Sequence, residues 1–300
     1  MAASDTTSPA ISIVVPVKDE EENLEPLINE ICASLNAHFA SGDSAYEIVY
    51  VDDGSTDATP ELLRQLMDRV PNLRALRHRE CCGQSAAIAT GVEAARAPLV
   101  GMLDGDGQND PADMPALLVR YAEESAGGPE SRGDSGGAVM IVGHRAKRRD
   151  TWLKRVSSKV ANAVRGSLLK DDTPDTGCGL KVFSRDAFLG LPRFNHMHRF
   201  LPALMLRAGG RVISVPVNHR PRERGASKYG LWNRVWVGIV DMFGVMWLGA
   251  WPSPMWSLSS LPPRSPKHNE ASRLDPRLGH AGHPCWCWVS FENHAAGIIL

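Results

Sequence analysis

The stretch Gly101-Met102-Leu103-Asp104-Gly105-Asp106-Gly107-Gln108 decides how this 300-residue sequence is read. An apolar run from Pro98 to Leu103 has the composition of a strand buried in a parallel sheet, and it stops at two carboxylates one residue apart, with a side-chain amide two positions on. Period-two spacing puts residues 104, 106 and 108 on one side of an extended segment, while Gly105 and Gly107 let backbone and ligand approach closely. Hard divalent cations take such oxygen ligands, and Mg²⁺ in particular sits on one or two carboxylates plus substrate phosphates. An acidic turn running into a helix at Asp110-Pro111 is equally compatible with this stretch. The flanking chain has to separate the two readings.

Upstream, strands and helices alternate. Ile11 to Val17 is β-branched and nearly continuous, enters the polar run Lys18-Asp19-Glu20-Glu21-Glu22-Asn23, and is followed by Leu24, Leu27, Ile28, Ile31 and Leu35 at helical spacing. A dinucleotide-binding unit would need a glycine-rich turn at this point, and acidic residues stand there instead, which counts against a nicotinamide or flavin enzyme. A second strand, Tyr46 to Val51, ends in Asp52-Asp53-Gly54-Ser55-Thr56-Asp57; Ser55 or Asp57 would cap the next helix, which leaves Asp52 and Asp53 without a structural task. Carboxylates at a strand's carboxyl end lie where open α/β sheets bind ligands, and acceptors there suit ribose hydroxyls or base N–H groups. Leu73 to Leu76 reads as a short strand and Ser85 to Arg96 as a helix; Cys81-Cys82 between them read as small packed residues, because adjacent cysteines make a poor tetrahedral ligand pair.

Downstream, a helix is expected from Asp113 to about Glu124, then a surface loop over 125–137 rich in Gly and Ser, then a strand from Ala138 to Val142 ending in Gly143-His144-Arg145. Trp152, Val156, Val160 and Val164 share one face of a basic amphipathic helix suited to an anionic membrane or to solvent. Asp171 to Gly179 is turn-rich and leads into a strand, Leu180 to Phe183; His196 and His198 open a helical segment and, without metal-ligand partners at helical spacing, suit substrate contact or surface packing, and Arg211 to Val217 is a further strand. His219 to Tyr229 gathers fixed positive charge in a glycine-containing loop, the chemistry that holds phosphates. Residues 235–250 read as an apolar helix at a membrane interface or over the core, and 251–300 as a disordered or artefactual tail.

Charge is distributed unevenly. Residues 1–142 hold 9 Lys and Arg against 24 Asp and Glu, whereas residues 143–234 hold 20 against 6. An acidic half with a carboxylate cluster before a basic half suits an anionic ligand held through a metal on one side and by Arg and Lys on the other. The six cysteines show no disulfide spacing, no cleavable signal precedes the first strand, and no window offers an uncharged membrane span, so a reducing cytoplasmic compartment is expected.

Together these blocks resemble a known family. From about Ile11 to Leu248 the chain is similar to the inverting family 2 glycosyltransferases of fold type A (GT-A), within them to the polyprenol-phosphate sugar transferases that include dolichol-phosphate mannose synthase. The stretches that carry the likeness are Val15 to Glu20, Val51 to Ser55, Gly83-Gln84, Asp104 to Gln108, Gly143 to Arg145, Asp175 to Lys181, and Arg220 to Arg222 with Ser227-Lys228-Tyr229.

The resemblance implies an α/β fold with a Rossmann-like, doubly wound, mostly parallel sheet over residues 11–234, divided into a donor half (11–124) and an acceptor half (138–234). It implies that Pro16, Glu20, Val51 and Asp53 hold the donor's base and ribose, with Asp52, Gly83, Gln84 and Gly105 in the same matching stretches. Asp104, Asp106 and Gln108 would hold Mg²⁺ or Mn²⁺ on the diphosphate, and Arg145, Lys181, Arg222 and Lys228 would contact donor and lipid phosphates. Asp106 and Asp175 are the catalytic candidates, Asp175 as an orienting carboxylate. Lys18-Asp19 replaces the aromatic and Asn of the family pattern.

The implied reaction moves a hexose from a nucleotide sugar (GDP-mannose or a UDP-sugar) to a polyprenyl phosphate, by a peripheral enzyme on the cytoplasmic membrane face and with no nucleic-acid partner. A family 2 transferase acting on a saccharide hydroxyl, or a non-catalytic nucleotide-sugar-binding module, are the alternatives.

Overall fold

The computed structural model describes residues 8–39, 45–126, 137–145, 173–221 and 244–245. Its strands are β1 (Ile11–Val17), β2 (Tyr46–Asp52), β3 (Leu73–Arg77), β4 (Leu99–Met102), β5 (Val139–Arg145), β6 (Lys181–Ser184) and β7 (Arg211–Val217). The helices are α1 (Glu21–His38), α2 (Thr59–Arg69), α3 (Gln84–Ala94), α4 (Met114–Ala126), α5 (Arg185–Leu189) and α6 (Leu201–Arg207). The seven strands form one sheet in the order β3-β2-β1-β4-β6-β5-β7.

β1 lies between β2 and β4 and pairs with both in parallel, and β2 pairs with β3 in parallel. β6 alone among the described strands runs the other way, antiparallel to both β4 and β5, while β5 pairs with β7 in parallel. The doubly wound, mostly parallel sheet expected from the sequence is therefore the one present.

Helices cover both faces of the sheet. Ile11, Ile13, Val15 and Val17 of β1 join Leu24, Leu27, Ile28, Ile31 and Leu35 of α1 and Leu117 of α4 in one core. Val14 joins Ile88 and Val92 of α3, Phe188 of α5 and Leu204 of α6 in the other. Sheet residues buried on both faces explain why β1 and β2 read as continuous apolar runs, and each large aliphatic side chain so buried contributes roughly 1.5–3 kcal/mol.

The doubly wound order has one consequence that matters for function. Where the winding reverses, the carboxyl ends of neighbouring strands leave a crevice, and here β1, β2 and β4 carry Lys18, Asp53 and Asp104 just beyond their ends. The reversed β6 starts where β4 finishes, with Lys181 opposite Met102, so the segment leading into β6 passes over the β4 carboxylates.

No helix among the described residues is long and apolar enough to cross a membrane. Residues 127–136 of the loop expected at 125–137, the basic helix expected near 152–165, almost all of the apolar helix expected at 235–250, and the tail at 251–300 lie outside the described residues, while Ser125 and Ala126 close α4.

Candidate active site

Beyond β4 the chain keeps one more sheet bond, Leu103 N donating to Val14 O at 3.2 Å, and then turns. Asp106 Oδ1 accepts from Gln108 N at 3.1 Å, and Asn109 Oδ1 accepts from Asp104 N at 3.1 Å, so the turn holds its own carboxylate and amide groups in place. Gly105 is required by contact: a Cβ there would press into Val17 and stand 2.9 Å from Pro16 O. Asp106 therefore closes a turn, while Asp104 faces a cleft.

That cleft has a volume of about 380 Å³, and its walls include Gln84, Asp104, Asp175, Lys181, His198 and Arg199. Gln84, the first residue of α3, donates from Nε2 to Asp104 Oδ1 at 2.8 Å. Gly179 lies against the Asp104 carboxylate so closely that a Cβ at 179 would collide with it. Burial, and then the neighbouring Asp106, push the Asp104 carboxyl up to about 6, with Lys181, Arg145 and Gln84 pulling the other way.

Two cations stand close by. Lys181 is 2% exposed, and its Nζ donates to the carbonyl of Cys178; burial lowers its pKa, opposed by Cys178, Asp104 and Asp175. Arg145, at the end of β5, grips Asp175 with both arms of its guanidinium, Nε to Oδ2 at 2.6 Å and Nη2 to Oδ1 at 2.7 Å. The Arg145 guanidinium is held charged first by that bond, and Asp175 is correspondingly occupied.

The β2 side of the crevice is organised around Asp53, which is 4% exposed. Its carboxylate accepts from Cys82 N at 2.8 Å, Gly83 N at 2.8 Å and Cys81 Sγ at 3.3 Å, and meets His78 Nδ1 at 2.8 Å. Burial alone would raise its pKa; the hydrogen bonds from His78, Cys82, Gly83 and Cys81 together outweigh that and hold it below the ordinary carboxylate range.

Asp52 has a structural task that the sequence did not reveal. It accepts from Ser55 N at 2.9 Å and faces Arg77 Nε at 3.1 Å. Ser55 does not cap α2; its hydroxyl accepts from Asp19 N at 2.8 Å, while Asp57 accepts from Thr59 N at 3.0 Å. Cys81 and Cys82 are exposed rather than packed.

Of the remaining positions named from the sequence, Pro16 and Val51 are partners in the β1–β2 register, and Glu20 accepts from Asn23 Nδ2 at 2.7 Å. Gln108 lends its carbonyl to Arg220 N at 3.1 Å. Arg222 and Lys228 lie outside the described residues.

Sequence reasoning missed Gly179 and left His198 undecided between substrate contact and surface packing. His198 faces Ser85 Oγ at 2.7 Å through Nδ1, and burial, followed by Arg199, Lys181 and His196, lowers its pKa to about 3, so the ring is neutral. Nothing in the spacing of residues 195–200 marks that position; it arises because α3 packs against the single turn at Met197–Arg199.

Fold and carboxylate placement define the GT-A class of α/β proteins. The chain belongs to glycosyl transferase family 2, whose family model matches residues 12–190.

Among curated relatives it is 32% identical over 240 residues to a dodecaprenyl-phosphate galacturonate synthase of Rhizobium johnstonii, covering 79% of this chain and 66% of that one. It is 32% identical over 223 residues to an undecaprenyl-phosphate 4-deoxy-4-formamido-L-arabinose transferase of Edwardsiella ictaluri, covering 74% and 63%. The chain thus spans just under two thirds of the length of these relatives.

Similar folds occur in a mannosyl-3-phosphoglycerate synthase from Rubrobacter xylanophilus (TM-score 0.54, 15% identity, 79% of this chain and 73% of that one). A mannosyltransferase from Pyrobaculum calidifontis, solved with GDP-Man and Mn²⁺, is another (TM-score 0.50, 21% identity, 81% and 65%).

Proposed function

We propose that the chain moves a hexose from a nucleoside-diphosphate sugar to a polyprenyl phosphate at the cytoplasmic face of a membrane. The observation that carries this reading is the Arg145–Asp175 pair. A sugar hydroxyl needs a base to take its proton, yet in this cleft Asp175 is tied to a guanidinium, His198, with its pKa near 3, is a weak base, and Asp104 is the carboxylate that would be taken up by the divalent ion. A phosphate monoester needs no such help, because it is already an anion at neutral pH. The two curated relatives support the same acceptor class by name, one being a dodecaprenyl-phosphate and the other an undecaprenyl-phosphate enzyme.

The donor set fits a hard divalent ion. Asp104 and Asp106 supply oxygen only, and burial together with Asp106 disfavours the charge on Asp104, which a bound cation would favour. Mg²⁺ or Mn²⁺ would be held by Asp104 and Asp106, with Gln108 adjoining, and would neutralise the diphosphate leaving group.

The protein's own groups do the rest. Asp53, Asp52, Pro16, Glu20, Val51, Gly83, Gln84 and Gly105 form the donor side. Gln84 fixes the orientation of the Asp104 carboxylate, and Lys181, Arg145, Arg222 and Lys228 receive phosphate. Attack by a lipid phosphate oxygen on the anomeric carbon, with the diphosphate departing from the opposite face, forms one C–O bond, breaks the other and inverts the centre.

The basic half serves the acceptor's surroundings, since each Lys or Arg near an anionic leaflet gains about 1 kcal/mol. The test is transfer by the Asp106→Ala variant, expected to be lost with the fold retained; undiminished transfer would remove the metal assignment.

A further inference from the structure

We propose that Asp53, His78 and Cys82 form a second cation site, selective for a thiophilic divalent ion such as Zn²⁺ and separate from the Asp104–Asp106 pair. One carboxylate oxygen, one imidazole nitrogen and one sulfur from these residues lie within 4.8 Å of one another. Zn²⁺ accepts all three ligand types in tetrahedral geometry, and three protein ligands leave its fourth position to water or another small donor. Ligand softness separates the two sites. The all-oxygen pair beyond β4 suits Mg²⁺ or Mn²⁺, whereas nitrogen and sulfur here favour Zn²⁺. With β1 between β2 and β4, the two strand ends are about 10 Å apart at the usual interstrand spacing.

The fold builds this triangle from adjacent elements. Asp52 and Arg77 are partners in the parallel β2–β3 register, so the next residue on each strand, Asp53 and His78, comes out side by side with Nδ1 2.8 Å from Oδ1. The chain then curls back until the N–H groups of Cys82 and Gly83 both donate to Asp53, which leaves the Cys82 sulfur within 4.8 Å of a carboxylate oxygen while its thiol donates to Glu80 O at 3.4 Å. Asp53 and His78 are buried and Cys82 is exposed, which gives the ion an entry path from the Cys82 side.

An outer partner is in place as well. Thr90 Oγ1 lies 2.9 Å from His78 Nε2, and a hydroxyl can either donate or accept. The imidazole can therefore carry its proton on Nε2 toward Thr90 and turn the Nδ1 lone pair to a metal, the arrangement that orients metal-bound histidines generally. Binding breaks the Nδ1–H···Oδ1 contact, moves that proton to Nε2, and releases the Cys82 thiol proton to solvent as the metal–sulfur bond forms; no electron is transferred.

The consequence for transfer rests on the reading of Asp53 as a donor contact: an ion bound there withdraws the carboxylate from the nucleoside, so Zn²⁺ inhibits in competition with the donor.

Cobalt reports the site directly, because a cobalt–thiolate bond gives a charge-transfer absorption that oxygen ligands cannot. The full chain is titrated with Co²⁺ in excess Mg²⁺ and the ion is then displaced by Zn²⁺. One equivalent with a thiolate band is expected, the band disappearing in Cys82→Ser and surviving in Cys178→Ser, a cysteine of the cleft by Asp104. His78→Gln should weaken Zn²⁺ at least tenfold, since losing even an outer partner costs roughly 10–100-fold. Circular dichroism checks that each variant is folded. Absence of the band in the wild-type chain, or its survival in Cys82→Ser, overturns the site. A band present together with donor affinity unaffected by Zn²⁺ supports the site and overturns the donor role of Asp53.

Discussion

Replacing Asp104 with asparagine keeps the side-chain shape and an acceptor for Gln84 while removing the charge. In the folded chain the Asp104 carboxyl is pushed from 3.8 to about 6, chiefly by burial and then by Asp106. A folded pKa above the unfolded one means that the native state binds the proton more tightly between pH 4 and 6; the stability so gained is fully present below 3.8 and is lost as the pH rises through 6. At about 1.4 kcal/mol per unit the penalty above pH 6 is near 3 kcal/mol, and because Asp104 is only partly buried, solvent screening trims this to roughly 1–2 kcal/mol.

Asp104→Asn should therefore stabilise the metal-free protein at pH 7.5 by that amount and leave it nearly unchanged at pH 4. Urea unfolding in EDTA at the two pH values measures the difference. Saturating Mn²⁺ should reverse the order, since a ligand at one hundred times its Kd adds about 2.7 kcal/mol to the wild type and nothing to the variant. A variant that is less stable than wild type at pH 7.5 without metal, or that gains equally from Mn²⁺, would refute the argument.

Other outcomes follow from the same geometry. Mn²⁺ affinity, followed by calorimetry, should fall up to tenfold per pH unit below pH 6, because the ion must displace the Asp104 proton. His198, at about 3 folded against 6.5 unfolded, has the opposite sign: stability present above 6.5 is lost toward pH 3 by up to about 1.4 kcal/mol per unit, and His198→Gln should remove that slope from urea midpoints. Gly179→Ala drives a methyl into the Asp104 carboxylate and should cost about 1–3 kcal/mol together with the Mn²⁺-dependent thermal shift. Lys181→Met, read by steady-state kinetics, should lower kcat/KM roughly 10²–10³-fold as one preorganised charge is lost.

The sequence exposed what depends on local pattern. β1 and β2 match their expected spans to within a residue because strands buried on both faces are continuous apolar runs, and β7, a mostly half-buried edge strand, matches through its run of β-branched Val and Ile. The carboxylates at 52–53 and 104–106 were legible because they interrupt such runs.

What escaped depends on the tertiary path. Asp52 looked idle until Arg77 arrived from β3, and Asp53 until the 78–83 loop wrapped it. Cys81 and Cys82 resembled packing residues in a sequence where only their neighbours in space show that they are exposed. Gly179 matters because the reversal of β6 lays it on Asp104, and no spacing rule encodes that contact. The reach from Lys181 to Asp104 has the same origin, and sequence placed Lys181 at the phosphates only through family resemblance.

The central claim is metal-dependent transfer to a lipid phosphate. Its most direct measurement is the rate at which labelled hexose passes from a nucleotide sugar to undecaprenyl phosphate and, in parallel, to the undecaprenol that lacks the phosphate, each with Mn²⁺ and with EDTA. The account predicts lipid-linked product only where phosphate and metal are both present. Transfer to the bare alcohol at a comparable rate, or an undiminished rate in EDTA, would contradict it.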